Sequence, residues 1–162
     1  MTSKIDTSAE TYDYVVIGAG SAGCVVAGRL SDAGYSVLLL EAGGRDTNPW
    51  IHIPLGYARL YANPALNWCF TSEPEPGLNG RRLFQPRGKV LGGTGSINGM
   101  IYMRGQREDF DAWAAAGCSG WGFDDVLPYY KKSEDQQRGA SAYHGVGGPL
   151  SVSDVSGFEL GD

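Results

Sequence analysis

The apolar positions of this chain change their period twice before residue 44. Tyr12–Ile17, YDYVVI, is a short β-branched apolar run that stops at Gly18, the pattern of a strand buried on both faces of a parallel sheet. Over 21–34, SAGCVVAGRLSDAG, residues Ala22, Val25, Val26, Leu30 and Ala33 recur at helical spacing. Gly34 is placed to end that helix in a left-handed conformation. Ser36–Gly43, SVLLLEAG, reads as a second buried strand. Strand, helix and strand in about 30 residues predict an α/β chain that opens on a right-handed βαβ unit with parallel strands.

After Gly44 the periodicity dissolves. Pro49, Pro54, Pro64, Pro74 and Pro76 forbid long regular elements, so about 45–85 is an irregular excursion. Excursions of this length usually serve as lids, binding segments or inter-subunit arms. Helical spacing returns at Arg107–Gly117, with Phe110, Trp113 and Ala114 on one face. It returns again at Phe123–Ser133, where acids near the start and two lysines near the end suit the helix dipole. Pro128 fits that helix best in its first turn. Residues 136–148 are polar and glycine-rich, and PLSVSDV then offers one short strand.

The turn between the first strand and helix carries chemistry. Gly18-Ala19-Gly20-Ser21-Ala22-Gly23 is GxGxxG, placed between a strand and a helix, where the pattern signals dinucleotide binding. Gly18 makes the tight turn, Gly20 lets backbone approach a pyrophosphate, and Gly23 lets helix and strand pack closely. The N–H groups at the helix start, around Ser21 and Ala22, meet phosphate charge. Glu41 ends the second strand, where its carboxylate can accept from both hydroxyls of an adenosine ribose and would repel a 2′-phosphate. A glycine-rich turn with an incidental acid is the competing reading, and the βαβ context disfavours it. These residues leave NAD and FAD both open.

Composition narrows the remaining classes. With 162 residues, 42% hydrophobic and 19% charged, the chain can build one modest core. A net charge of −5 with scattered Lys and Arg offers no stripe for a nucleic-acid backbone. Cys24, Cys69 and Cys118 follow no metal spacing and are expected as small buried residues in a reducing compartment; no metal site is expected. The polar opening MTSKIDTSAET lacks the apolar core of a secretory signal. A cytoplasmic location is the expectation, with peripheral contact at the inner membrane left open.

A second glycine cluster decides the cofactor. Pro86–Asp111, PRGKVLGGTGSINGMIYMRGQREDFD, resembles the N-terminal signature of the glucose-methanol-choline (GMC) flavoprotein oxidoreductases, with Lys89, Leu91, Gly92-Gly93, Thr94-Gly95, Ile97, Asn98, Tyr102, Gly105 and Asp111 at the family's relative spacings. Gly95 departs from the pattern, since most relatives carry serine there. The resemblance runs from Tyr12 to about Val152 and includes HGVGGPL at 144–150. DTNPWIHIPLG and LNWCF are most similar to segments of bacterial alcohol, choline and polyethylene glycol dehydrogenases.

The resemblance implies a Rossmann-like FAD-binding unit of a GMC-type fold with its substrate domain only begun. The implied divisions are a polar tail at 1–11, an FAD-binding portion with a lid-like excursion at 12–110, and an incomplete substrate-side region at 111–162. It implies that Gly92 and Gly93 pass the ribityl and pyrophosphate, and that Asn98, Gly99, Met100 and Ile101 run beside the isoalloxazine. Ala42, Gly43, Arg87 and Val90 complete the implied cofactor set. Arg87 and Lys89 either stay solvated, the favoured reading, or stabilise an anionic reduced flavin. In covalent-flavin relatives the attaching histidine aligns with Ile97, which cannot form that bond, so the FAD is expected to be non-covalent.

The implied activity is oxidation of a primary alcohol to an aldehyde by hydride transfer to flavin N5, with a quinone, a dye or oxygen as acceptor. The family's catalytic base is a histidine expected beyond residue 162, so this chain alone is expected to be inactive. His52 and His144 are expected to be structural or surface residues. Trp113 and Trp121 are expected in core packing, and Tyr57, Tyr61 and Trp68 in a lid over the flavin. Two alternatives stay open: an FAD-containing hydroxynitrile lyase of the same family, and a non-catalytic module completed by a C-terminal polypeptide or by other copies of the chain.

Overall fold

A computed structural model of the chain describes residues 11–154. All but the last residue of the expected polar tail, and positions 155–162 of the expected substrate-side region, lie outside the described residues. The chain divides into two compact units, Met1–Ile101 and Tyr102–Asp162.

The first unit opens with the expected βαβ. Strand β1, Tyr14–Ile17, pairs in parallel with β2, Val37–Leu40, in the register Tyr14↔Val37 to Ile17↔Leu40. Helix α1, Ser21–Asp32, joins them, and Gly34 follows it at φ +90°. Such a residue closes a helix cheaply only as glycine. Both strands start at one polar lock: Asp13 accepts from the Ser36 N–H at 2.8 Å and from its hydroxyl at 2.7 Å. Those hydrogen bonds hold the Asp13 carboxyl below its usual range.

The strands are parallel, as expected, but their faces are not buried. Ile17 is 85% exposed and Val25 on α1 is 61% exposed, while of the α1 residues only Ala27 is buried. A parallel strand is covered on both faces only when helices pack on both. Among the described residues one helix lies on a two-stranded sheet, so Ile17 and Val25, predicted to be interior, remain uncovered.

The core of this unit lies elsewhere. Leu60, Leu66, Val90 and Ile97 form it, with Trp50, Ile51 and Tyr61 packed against them. Two of these come from the excursion's short helix and the turn after it, and two from the second glycine-rich segment. The prolines have the expected effect: single 3-10 turns at Pro49–Ile51 and Pro54–Gly56 start on proline, and α2, Tyr57–Tyr61, is only five residues long. Strands β3, Phe70–Thr71, and β4, Phe84–Gln85, form an antiparallel pair.

In the second unit, α3 spans Arg107–Ala115 and α4 spans Phe123–Ser133. The Asp109 carboxylate accepts from the Gln106 N–H at 2.8 Å and the Asp125 carboxylate from the Gly122 N–H at 3.1 Å, so each helix start is capped from within. Arg107 donates to both oxygens of Asp124 at 2.8 Å. Pro128 lies in the helix interior rather than in its first turn. The polar segment after α4 holds a strand that periodicity did not reveal: β5, Glu134–Gln136, runs parallel to β6, Leu150–Val152.

Two packing expectations need correction. Trp113 and Trp121 are 50% and 55% exposed, because Phe110 takes the buried position of α3 and makes ring contacts with Phe123 and Tyr130. The tryptophans instead meet edge to face at 6.3 Å on the wall of an open apolar cleft. Nor are the cysteines buried: Cys24 and Cys118 are exposed and Cys69 is half-buried, all as free thiols. Cys24 lies on uncovered α1, where its thiol donates to the Ala19 carbonyl, and Cys118 follows the end of α3.

Candidate cofactor site

β1 ends at Ile17, and the Gly18 N–H donates to the Leu40 carbonyl at 2.7 Å, so the glycine-rich turn leaves the sheet at the level where β2 ends. Gly20 caps α1 without any side-chain hydrogen bond, which leaves the first N–H groups of the helix free of side-chain acceptors. Ser21 and Ala22 are exposed there. Gly23 is required by contact: a Cβ on it would lie 1.8 Å from the Gly18 carbonyl oxygen. Helix and strand meet backbone to backbone at this point.

Glu41 stands at the C-terminal end of β2, half-buried. One carboxylate oxygen accepts from the Ala19 N–H at 2.8 Å, the other from the Gly43 N–H at 2.8 Å. Each oxygen keeps capacity for a further donor. Glu41 therefore ties the turn after β1 to the turn after β2 while leaving room for outside hydroxyl groups.

The second glycine cluster docks onto the first. The Gly92 N–H donates to the Ala19 carbonyl at 2.8 Å, and the Leu91 N–H donates to the Gly44 carbonyl at 2.9 Å. Single parallel bridges link Gly20 with Gly92 and Gly44 with Val90. A Cβ on Gly93 would come within 2.8 Å of the Gly20 Cα, and one on Gly43 within 2.0 Å of the Lys89 carbonyl oxygen. The glycines thus let three backbone segments approach at the mouth of α1. Val90 is fully buried, so its side chain belongs to the core and only its backbone edges the site. Ile97 is likewise 1% exposed.

Two clefts of the first unit divide the expected cofactor residues. One, of about 600 Å³, brings together Gly18, Gly20, Glu41, Ala42, Arg87 and Gly93. The other, of about 250 Å³, has Gly95, Ser96, Asn98 and Met100 facing Trp50 and His52. The Asn98 side chain accepts from the Met100 N–H at 2.8 Å and holds Met100 at φ +57°. A Cβ on Gly99 would meet nothing within 4 Å, and Ile101 is 81% exposed, so this run borders open space. Arg87 is exposed, with its guanidinium donating to the Pro86 carbonyl.

Asn67 was missed in the sequence. It is 2% exposed; its oxygen accepts from the Cys69 N–H at 2.9 Å and the Arg87 N–H at 2.8 Å, and its NH₂ donates to the Tyr61 carbonyl at 2.8 Å. This one amide holds the segment before β3 against the segment after β4. An isolated polar residue between Leu66 and Trp68 carries no periodic signal of such a role.

Both histidines are engaged. His52 Nε2 lies 2.7 Å from the Asp46 carbonyl oxygen. His144 Nδ1 lies 2.9 Å from Glu134, the centre of a buried cluster in the second unit. Glu134 is inaccessible to solvent and also accepts from Arg104, from the Gly145 N–H and from Gln136. Burial alone would raise its carboxyl; the Gly145 N–H, His144 and the Arg104 charge outweigh that and hold it below the usual carboxylate range. Among the described residues no group of His, Cys, Asp and Glu is arranged to hold a metal ion. No helix among them is long and apolar enough to cross a membrane.

Residues 12–158 match the family described as GMC oxidoreductase. An alcohol dehydrogenase [acceptor] of Pseudomonas putida is 55% identical over 146 residues, covering 89% of this chain and 26% of that protein. An oxygen-dependent choline dehydrogenase of Rhizobium etli (strain CIAT 652) is 51% identical over 141 residues, covering 86% of this chain and 26% of that protein. Among solved structures, pyridoxine 4-oxidase from Mesorbium loti superposes with a TM-score of 0.79 at 40% identity, over 87% of this chain and 28% of that one. An FAD-dependent oxidoreductase from Chaetomium thermophilum gives 0.70 at 29% identity, over 88% and 26%. The chain thus spans about a quarter of the length of these relatives. Its two docked glycine motifs lie within the matched residues, and the chain belongs to the GMC oxidoreductase family, with the Rossmann-like α/β architecture of that family's N-terminal domain.

Proposed function

We propose that this chain is the FAD-binding part of a flavin-dependent oxidoreductase that converts primary alcohols to aldehydes. The observation that carries the reading is the docking of Gly92-Gly93 onto Ala19-Gly20 at the start of α1, with Glu41 beside it. These glycines let the backbone segments close into a cradle, since a Cβ on Gly93 would meet the Gly20 Cα; a helix start supplies N–H groups for a pyrophosphate, and Glu41 keeps acceptor capacity for ribose hydroxyls. The residues present therefore fit FAD. When bound, the flavin supplies the hydride acceptor.

The chain's own residues bind and orient. Gly18, Gly20, Ser21, Ala22 and Gly23 receive the pyrophosphate, Glu41, Ala42 and Gly43 the adenosine ribose, and Arg87 adds positive charge to the same cleft. Gly92, Gly93 and the Val90 backbone flank the ribityl side, and Asn98, Gly99, Met100 and Ile101 border the flavin ring. Ile97 occupies the core and offers no nucleophile, so the FAD is held without a covalent bond. The alcohol and choline dehydrogenase relatives support redox chemistry over a lyase reaction. None of the residues assigned here is the base that takes the hydroxyl proton; the acceptor is a quinone, a dye or oxygen, and the location is cytoplasmic, with inner-membrane contact where a quinone serves.

An intact mass and a visible spectrum of the purified chain test this reading. The expected result is a flavin spectrum after equilibration with FAD. A folded chain that is colourless once unbound FAD has been removed after saturation overturns it.

A further inference from the structure

Residues 98–101, assigned above to the border of the flavin ring, have little of their own to hold them in place. Among the described residues their only hydrogen bond lies within the run, from the Met100 N–H to the Asn98 side chain. Gly99 borders open space, and Met100 and Ile101 are 57% and 81% exposed. Ile97, in the core, fixes where the run begins. Nothing inside the run fixes where it ends.

The end is fixed three residues further on. The Arg104 side chain is 13% exposed, and each of its guanidinium nitrogens has an acceptor: Nε donates to the Tyr102 hydroxyl at 3.0 Å, Nη1 to the Tyr143 carbonyl at 2.6 Å and Nη2 to Glu134 at 2.5 Å. The guanidinium also lies 5.4 and 5.0 Å from the Tyr102 and Tyr130 ring centroids. Glu134, inaccessible to solvent, is held in turn by Gly145, Gln136 and His144. Taking a charge out of water is expensive, so a buried ion pair is a weak source of stability, and its best-attested use is to fix register. The register fixed here is that of the chain leaving residues 98–101. Three residues reach at most about 10 Å, so a clamped Arg104 leaves Ile101 little freedom.

We propose that Arg104, clamped by Glu134 and the Tyr143 carbonyl, is a positioning residue for flavin binding that holds the far end of residues 98–101 in place. The inference rests on the FAD reading above. Arg104 acts through the backbone rather than by contact with the cofactor. With the end of the run held in advance, binding does not have to order it, and the flavin half of FAD gains affinity by that saving.

The test uses the full 162-residue chain as wild type, as Arg104→Met, and with one glycine inserted between Ile101 and Tyr102. Arg104→Met removes the clamp, whereas the insertion leaves the cluster whole and slackens the chain leading to it. Each is titrated with FAD and with ADP, which lacks the flavin, and the visible circular dichroism of the bound flavin is recorded. Both variants are expected to weaken FAD on the order of tenfold and to leave ADP unchanged, because the pyrophosphate and ribose are assigned to the first glycine motif and Glu41. The flavin dichroism is expected to fall in both, a signal that lost stability alone does not move. The insertion carries the test if Arg104→Met fails to fold. FAD affinity and flavin dichroism equal to wild type, in the insertion variant or in folded Arg104→Met, overturn the positioning role and leave the FAD reading intact. ADP weakened as much as FAD in the insertion variant marks a general loss of structure and also overturns it. A folded wild type that binds no FAD overturns the FAD reading itself.

Discussion

The Gly92 N–H donates to the Ala19 carbonyl at 2.8 Å, joining two glycine motifs that lie 73 positions apart along the chain. Each motif alone describes a turn; together they form one cradle in which three backbone segments touch.

The glycines of that cradle divide into two kinds, which gives a contrast. A methyl group at Gly93 meets the Gly20 backbone and must also adopt φ +59°, so Gly93→Ala is expected to cost roughly 1–3 kcal/mol of stability as well as FAD affinity. Gly99→Ala meets nothing, so it is expected to leave stability within about 0.5 kcal/mol while lowering FAD affinity. Urea denaturation beside FAD titration separates the two. Equal stability loss in both variants would contradict the assignment.

Glu41 has a structural duty as well as a binding one. Glu41→Gln replaces one acceptor oxygen with an NH₂ group that faces an N–H donor, at Ala19 or at Gly43. The expected loss is about 1–3 kcal/mol of stability, together with weaker FAD binding. Thermal melts with and without FAD read both effects. An unchanged apo melting temperature would show that the two N–H bonds contribute nothing net.

Glu134 predicts a pH dependence of known sign. Its carboxyl is held below the usual range in the folded chain, so its contribution is fully present above the unfolded value of about 4.3. It is lost as pH falls through the lower folded value. Glu134→Gln leaves the partly buried Arg104 without its counter-charge and is expected to cost roughly 1–3 kcal/mol near neutrality. Denaturation curves from pH 7 down to pH 3 should show the gap between wild type and variant narrowing toward acid. A constant gap would count against Glu134 as its source.

His52 and His144 are read as structural residues, His52 Nε2 meeting the Asp46 carbonyl and His144 Nδ1 meeting Glu134. On that reading the FAD-loaded 162-residue chain is expected to stay yellow when a primary alcohol is added without oxygen, and denaturation should release all of its flavin. Bleaching by alcohol, or flavin that remains on the denatured polypeptide, would refute the respective half of this expectation.

Local signals carried the elements and the site motifs. YDYVVI, the GxGxxG turn and Glu41 at the end of SVLLLEAG placed β1, the start of α1 and β2, because period and turn chemistry act over a few residues. Phe123–Ser133 was legible to the residue from its charged ends and apolar face. The resemblance of the second glycine cluster pointed to FAD before any contact was known.

What depends on distant partners was not legible. The contact of Gly93 with Gly20, the buried amide of Asn67 and the Arg104–Glu134–His144 cluster each join segments whose approach no local pattern encodes. Exposure of Ile17, Val25 and Trp113 was hidden for the same reason: hydrophobicity states what a residue gains by burial, not whether a neighbour arrives to cover it. The sequence by itself determined the βαβ unit and carried the two glycine motifs from which FAD binding is proposed. Only the tertiary structure decided that both glycine motifs form one cradle and that Val90 and Ile97 serve the core, because packing is settled by which backbones can touch.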